Sequence, residues 1–77
     1  MTRRVFNWTY KDVVAFLKAN GFGLHHIDSS HHFYIKHVPN KVLQVQVPYH
    51  GKKAFKPRTL KGMILQSGIS KEKWLEK

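Results

Sequence analysis

The sequence predicts an α+β fold: an α-β-β-β-α two-layer sandwich, with a three-stranded antiparallel sheet and two helices on one face. Three observations carry this reading. Apolar residues recur at helical spacing over 9–20 and again over about 57–68. Between them lie three short segments rich in aromatic and β-branched residues, separated by turn residues. One of the three alternates strictly between apolar and polar side chains, the mark of a sheet with one buried face and one wet face. Two helices and an antiparallel meander bury their apolar sides most simply as two layers.

The first helix is signalled at both ends. Thr9 is an N-cap, and Asp12 three residues on completes a T-x-x-D capping box, in which side chain and backbone satisfy each other's free groups. Trp8 and Val13 stand at the spacing of a hydrophobic staple, and Tyr10, Val13, Val14 and Leu17 share one face. Asn20-Gly21 supplies the left-handed residue that stops the helix.

Three strands follow. Phe22 to Asp28 is short and weakened by Gly23, and Ser29-Ser30 reads as a two-residue turn. That turn pairs Asp28 with His31 and Ile27 with His32. His31 to Val38 is the second strand, with Phe33 and Ile35 on one parity and His32, Tyr34 and Lys36 on the other. If Phe33 and Ile35 point into the core, His32 is the more exposed of the two histidines. Pro39-Asn40-Lys41 turns the chain into Val42 to Val47, where Leu43, Val45 and Val47 face one way and Gln44 and Gln46 the other. Pro48 closes that strand, and Tyr49 to Pro57 is a basic loop.

A second helix starts near Pro57 or Thr59 and ends at Gly68, with Leu60, Met63 and Ile64 as its apolar stripe. Ser70 caps a last short turn, with Ile69 and Trp74 at staple spacing. This order is the arrangement of double-stranded-RNA-binding domains, which recognise A-form shape and phosphates rather than base sequence.

Length and charge narrow the function. A chain of 77 residues reads as one domain, 1–77, with a core too thin to enclose a separate cofactor domain, so a site here is a shallow surface cleft. Fourteen Lys and Arg against four acids give a net charge of +10, which points to a polyanionic partner, nucleic acid before an acidic protein or a membrane surface. There is no cysteine for a disulfide or a thiolate zinc site, and no apolar stretch of membrane-spanning length. Met1-Thr2-Arg3-Arg4 is not followed by the apolar run of a secretory signal, so a cytoplasmic location is expected.

The candidate chemistry is histidine chemistry. Five of the six histidines fall between positions 25 and 37, and only Asp28 among the carboxylates is near them. That donor set is poor for a metal, so no metal or other cofactor is expected. RNA carries its own nucleophile, the 2′-hydroxyl. Cleavage therefore needs little beyond a placed proton acceptor or donor, a role suited to a group titrating near pH ~6.5, and cations on the phosphate. There is no glycine-rich phosphate loop, no G-x-S-x-G and no carboxylate pair. Trp8, Tyr34 and Tyr49 are able to stack on bases, but core or rim packing is the expected role of each.

Four segments together are similar to HicA-type mRNA interferase toxins. They are Asn20-Gly21-Phe22, Ser29-Ser30-His31-His32-Phe33-Tyr34, Val47-Pro48-Tyr49-His50-Gly51-Lys52-Lys53, and Thr59-Leu60 running on to Ser67-Gly68-Ile69-Ser70. The resemblance spans residues 9 to 76; each motif is short, and order and spacing make the set specific. It implies a dsRBD-like, ribosome-independent endoribonuclease acting on mRNA, held in check by a HicB-type antitoxin. The family's catalytic histidine lies in a Gly-Ser-His turn, which maps onto His31, although Ser29 stands where the family has glycine. If that position needs a positive φ, Ser29 carries strain or the turn changes type.

The expected site therefore has His31 first and His32 second as general base or acid, with Ser30 orienting the histidine. Lys36, Lys52, Lys53, Lys56, Arg58 and Lys61 are the candidate grip on phosphate. The alternative reading is a non-catalytic basic RNA-binding module of the same fold, and a third is a domain whose charge serves only an acidic protein partner.

Overall fold

A computed structural model describes residues 8–49 and 51–75. His50 of the third motif, the N-terminal arginines and Glu76 lie outside the described residues. The element order is α1 (Tyr10–Ala19), β1 (Gly23–Asp28), β2 (His31–Val38), β3 (Lys41–Pro48), α2 (Pro57–Ser67) and α3 (Lys71–Leu75). The strands form one antiparallel sheet in the order β1-β2-β3, and the helices cover one of its faces.

Local chemistry sets the boundaries. Thr9 is extended, its Oγ1 accepts from the Asp12 amide, and its own amide donates to the Asp12 carboxylate at 3.0 Å. Gly21 leaves α1 at φ 92°, and Gly68 leaves α2 at φ 71°, both in the left-handed region that glycine enters cheaply. Pro57 opens α2 at its first position, where a missing amide hydrogen costs nothing. The buried hydroxyl of Ser67 then ties α3 down: it donates to the Ile64 carbonyl at 2.7 Å and accepts from the Trp74 indole at 3.1 Å.

The core is one apolar cluster. Val13 and Leu17 of α1, Leu60, Met63 and Ile64 of α2, and Trp74 of α3 meet Tyr34, Val45 and Val47 of the sheet, with Trp8, Phe22 and Phe55 sealing the ends. Burying an aliphatic or aromatic side chain of this kind contributes about 2–3 kcal/mol, so the cluster is the main source of stability.

The register corrects one expectation. His32 pairs with Val47, Tyr34 with Val45 and Lys36 with Leu43, so the even residues of β2 share the helix-covered face. Phe33 and Ile35 pair with Gln46 and Gln44 on the open face and do not point into the core. The reason is the partner strand. β3 alternates unambiguously, and cross-strand pairing passes its parity to β2, whose own two faces are both apolar enough to be buried. Tyr34 is the core residue, and His31 and His32 are both half-buried.

β1 behaves differently. Every residue of it is exposed, and a bulge at His25 breaks the register between Leu24 and His26. Leu24 and Ile27 lie uncovered because the helices pack over β3 and β2 and stop short of this edge. A bulged edge strand is a poor template for pairing with another chain.

Candidate active site

The site assembles where the β1–β2 turn, the start of α1 and the end of β3 converge. Asp28 is paired with His31 and Ile27 with His32 across the two-residue turn, as the sequence predicts. Ser29 sits at φ 61° and is the one described non-glycine residue with positive φ. A two-residue turn with positive φ at its first central position alone has the pattern of a type II′ turn, which glycine fills without strain. A non-glycine residue there costs about 1–2 kcal/mol.

Strand alternation sends the two histidines to opposite faces. His31 lies on the open face with Phe33 and opposite Asp28 and Pro48. His26 stacks on Phe33 on that face, with ring centroids 4.4 Å apart and planes 8° apart. His32 lies on the helix face, where its Nδ1 is 2.6 Å from the Tyr10 hydroxyl at the first position of α1. The Tyr49 ring stacks near-parallel to His32 at 5.8 Å and meets Tyr10 edge-on at 5.0 Å. The Tyr34 hydroxyl completes the group, 3.5 Å from that of Tyr10.

Tyr10 is held as a phenol. Burial pushes its pKa well above the ordinary value, and the hydrogen bond with Tyr34 and the nearby Tyr34 and Tyr49 hydroxyls push the same way. Among the described residues, no hydrogen bond joins the Ser30 hydroxyl to either histidine. The contribution Ser30 makes is its carbonyl, which accepts the Tyr49 amide at 2.8 Å and fixes the end of β3 against the turn.

The basic loop is pinned to this corner twice. Tyr49 anchors its start on the turn, and Ala54 bridges to Thr9 while the Phe55 amide donates to the Trp8 carbonyl at 2.7 Å. Lys52 and Lys53 are exposed between those anchors, Lys53 beside Ala54 and Lys52 three residues from Tyr49, within about 10 Å of chain. Lys56 and Arg58 flank the start of α2, whose N-cap, Lys56, makes no side-chain cap bond and whose first turn holds no acid. Uncapped amides and two cations make that helix end attractive to an anion. Lys61 is exposed one turn further along.

Lys36 is not brought to this corner. It lies four residues along β2 from His32, about 13 Å at ~3.3 Å per residue. Its stem packs on Gly21 at the far end of α1, where a Cβ would come within 3.2 Å of its Cε. A cation there complements the negative end of the helix.

Tyr10 is the site residue that sequence reasoning missed. Its spacing puts it in the apolar stripe of α1, and its ring does pack there, half-buried beside the core. Its hydroxyl reaches a histidine 22 residues away in sequence, a contact no local pattern announces.

Among the described residues no three His, Asp or Glu side chains converge to hold a metal ion, and no helix is long and apolar enough to cross a membrane. Residues 10–69 match the protein family described as HicA toxin of bacterial toxin–antitoxin. The chain belongs to the HicA toxin family. No curated protein and no solved structure matches it. Membership makes this a toxin of a toxin–antitoxin pair, with a cognate antitoxin as its partner.

Proposed function

We propose that this HicA family member is a cytoplasmic, metal-independent endoribonuclease that cuts mRNA at the β1–β2 turn and is neutralised by a HicB-type antitoxin. The observation that carries the reading is the family's turn histidine. His31 stands at the first position of β2, two residues after the left-handed Ser29, in a chain that matches the HicA family over 10–69.

In the proposed reaction His31 takes the proton of the RNA 2′-hydroxyl. The oxygen bonds to the adjacent phosphorus, the bond from phosphorus to the 5′-oxygen breaks, and that oxygen leaves with a proton from solvent or a second acid. A cyclic phosphate end and a 5′-hydroxyl end result. Lys52, Lys53, Lys56 and Arg58 hold neighbouring phosphates, helped by the open amides of α2. A base of this kind supplies about 10²–10⁴ in rate. An antitoxin carrying acidic residues across the loop and the start of α2 would exclude the phosphate backbone by complementary charge.

The test is direct. Purified protein incubated with single-stranded mRNA in excess EDTA should give fragments with cyclic phosphate ends. Intact RNA after prolonged incubation overturns the enzymatic reading, and tight salt-sensitive binding without cleavage would establish the non-catalytic RNA-binding module instead. Cleavage that returns only on adding a metal overturns metal independence.

A further inference from the structure

His32 is held unlike any other described histidine. One ring nitrogen meets a hydroxyl at 2.6 Å, and a tyrosine ring lies near-parallel to its face. The groups packed about it come from every neighbouring element: Tyr10 from α1, Ile27 from β1, Tyr34 from its own strand, Val47 from β3 and Tyr49 beyond it. None of these is a carboxylate or an ammonium. The titratable ones are three phenols.

A neutral imidazole carries its proton on one nitrogen and offers a lone pair on the other, and the partner of one nitrogen decides the tautomer. At Nδ1 the partner is a phenol, and burial beside two further phenols favours the protonated form of Tyr10. The one hydroxyl hydrogen has two acceptors in reach, Nδ1 at 2.6 Å and the Tyr34 oxygen at 3.5 Å; given to the nearer, it makes Nδ1 the acceptor and leaves the ring proton on Nε2.

We propose that Tyr10 is a positioning residue, donating its hydroxyl to Nδ1 of His32 and so presenting Nε2–H, on the far side of the ring, as a hydrogen-bond donor to the RNA phosphate. No proton moves in this role: Nε2–H neutralises charge on a non-bridging phosphate oxygen as the 2′-oxygen attacks. Tyr49 keeps the ring from turning, so the donor needs no reorganisation at the moment of reaction. The inference rests on the endoribonuclease reading and gives the second turn histidine a task distinct from that of His31.

The variant is Tyr10→Phe, which keeps the ring contacts and removes only the hydroxyl. Two readouts are taken on the full chain, above the ordinary histidine titration range. Nitrogen-15 shifts of the His32 ring should report one tautomer, protonated at Nε2, in the parent chain and a mixture in Tyr10→Phe. Single-turnover cleavage should slow about 5- to 10-fold, the worth of one hydrogen bond, with RNA affinity unchanged. In a His32→Gln background the same substitution should have no further effect on the rate, because Tyr10 acts through His32.

An Nδ1-protonated ring in the parent chain overturns the proposal, as does an unaltered rate in a folded Tyr10→Phe with the parent active. An additive loss in the His32→Gln background shows a merely structural role and overturns it too. A parent chain that cleaves no RNA sinks the enzymatic reading and the catalytic task of Tyr10 with it. The ring shifts then still decide whether the hydroxyl sets the tautomer.

Discussion

His31 and His32 are neighbours in the chain and occupy two different environments. His32 lies on the covered face of the sheet, half-buried, bonded to Tyr10 and stacked by Tyr49. His31 lies on the open face, across from the exposed Asp28, with no ring contact or hydrogen bond to another described side chain. Both are half-buried, but one is fixed by a hydrogen bond and a stacked ring and the other by neither. The difference comes from the two-residue period of a strand, which sends adjacent side chains to opposite faces. A fixed imidazole suits a preorganised donor, whereas an unbonded one is free to turn toward a 2′-hydroxyl.

The sharpest way to break this comparison is to remove each histidine separately. His31→Ala should lower the cleavage rate about 10²- to 10⁴-fold, with RNA affinity within a few-fold, and should leave stability nearly unchanged. His32→Ala should lower the rate by roughly 10-fold and cost about 1–2 kcal/mol of stability, because the Tyr10 hydroxyl loses its partner. Paired measurements of single-turnover rate and urea midpoint check both. A folded His31→Ala protein with full activity would transfer the base role to the covered face.

The next effect is on binding. Replacing Lys52 and Lys53 by Ala should reduce the slope of log Kd against log salt by one to two units, at ~0.7–0.9 per phosphate contact. Lys36→Ala should leave that slope alone, since Lys36 sits on Gly21 at the other end of the sheet. Titrations at several salt concentrations would show it, and an equal loss for Lys36 would mean that RNA runs the length of the sheet rather than over one corner.

The smallest expected effect is at the turn that joins the two environments. Ser29→Gly relieves about 1–2 kcal/mol of left-handed strain and gives back about 0.5–1 in unfolded-chain entropy. The net gain is at most about 1.5 kcal/mol, visible as a raised urea midpoint. A lowered midpoint would mean that Ser29 rests in its conformation without strain.

Much of the frame was legible in the residues themselves. Thr9 and Asp12 fixed the start of α1, Gly21 and Gly68 fixed helix ends, and a two-residue Ser29-Ser30 turn set the register of Asp28 with His31. Each of these acts through neighbours a few residues apart, and local chemistry is written in local sequence. Which face of β2 is covered was not legible, because Phe33 and Ile35 are as apolar as a core residue and Tyr34 carries a hydroxyl. The partner strand β3 decided it. Nor does the sequence indicate that Lys36 and Lys52 stand at different ends of the sheet.

By itself, then, the sequence determined the element order, the caps and turns and the basic charge, all properties of short segments or of composition. Tertiary structure alone decided that Tyr10 meets His32, that Tyr49 stacks on it and that the loop lysines gather at this corner. The physical reason is that these contacts join residues far apart in the chain. Their geometry follows from how α1 is laid across the sheet, and that is set by the packing of Val13 and Leu17 into the core rather than by anything in the residues that meet.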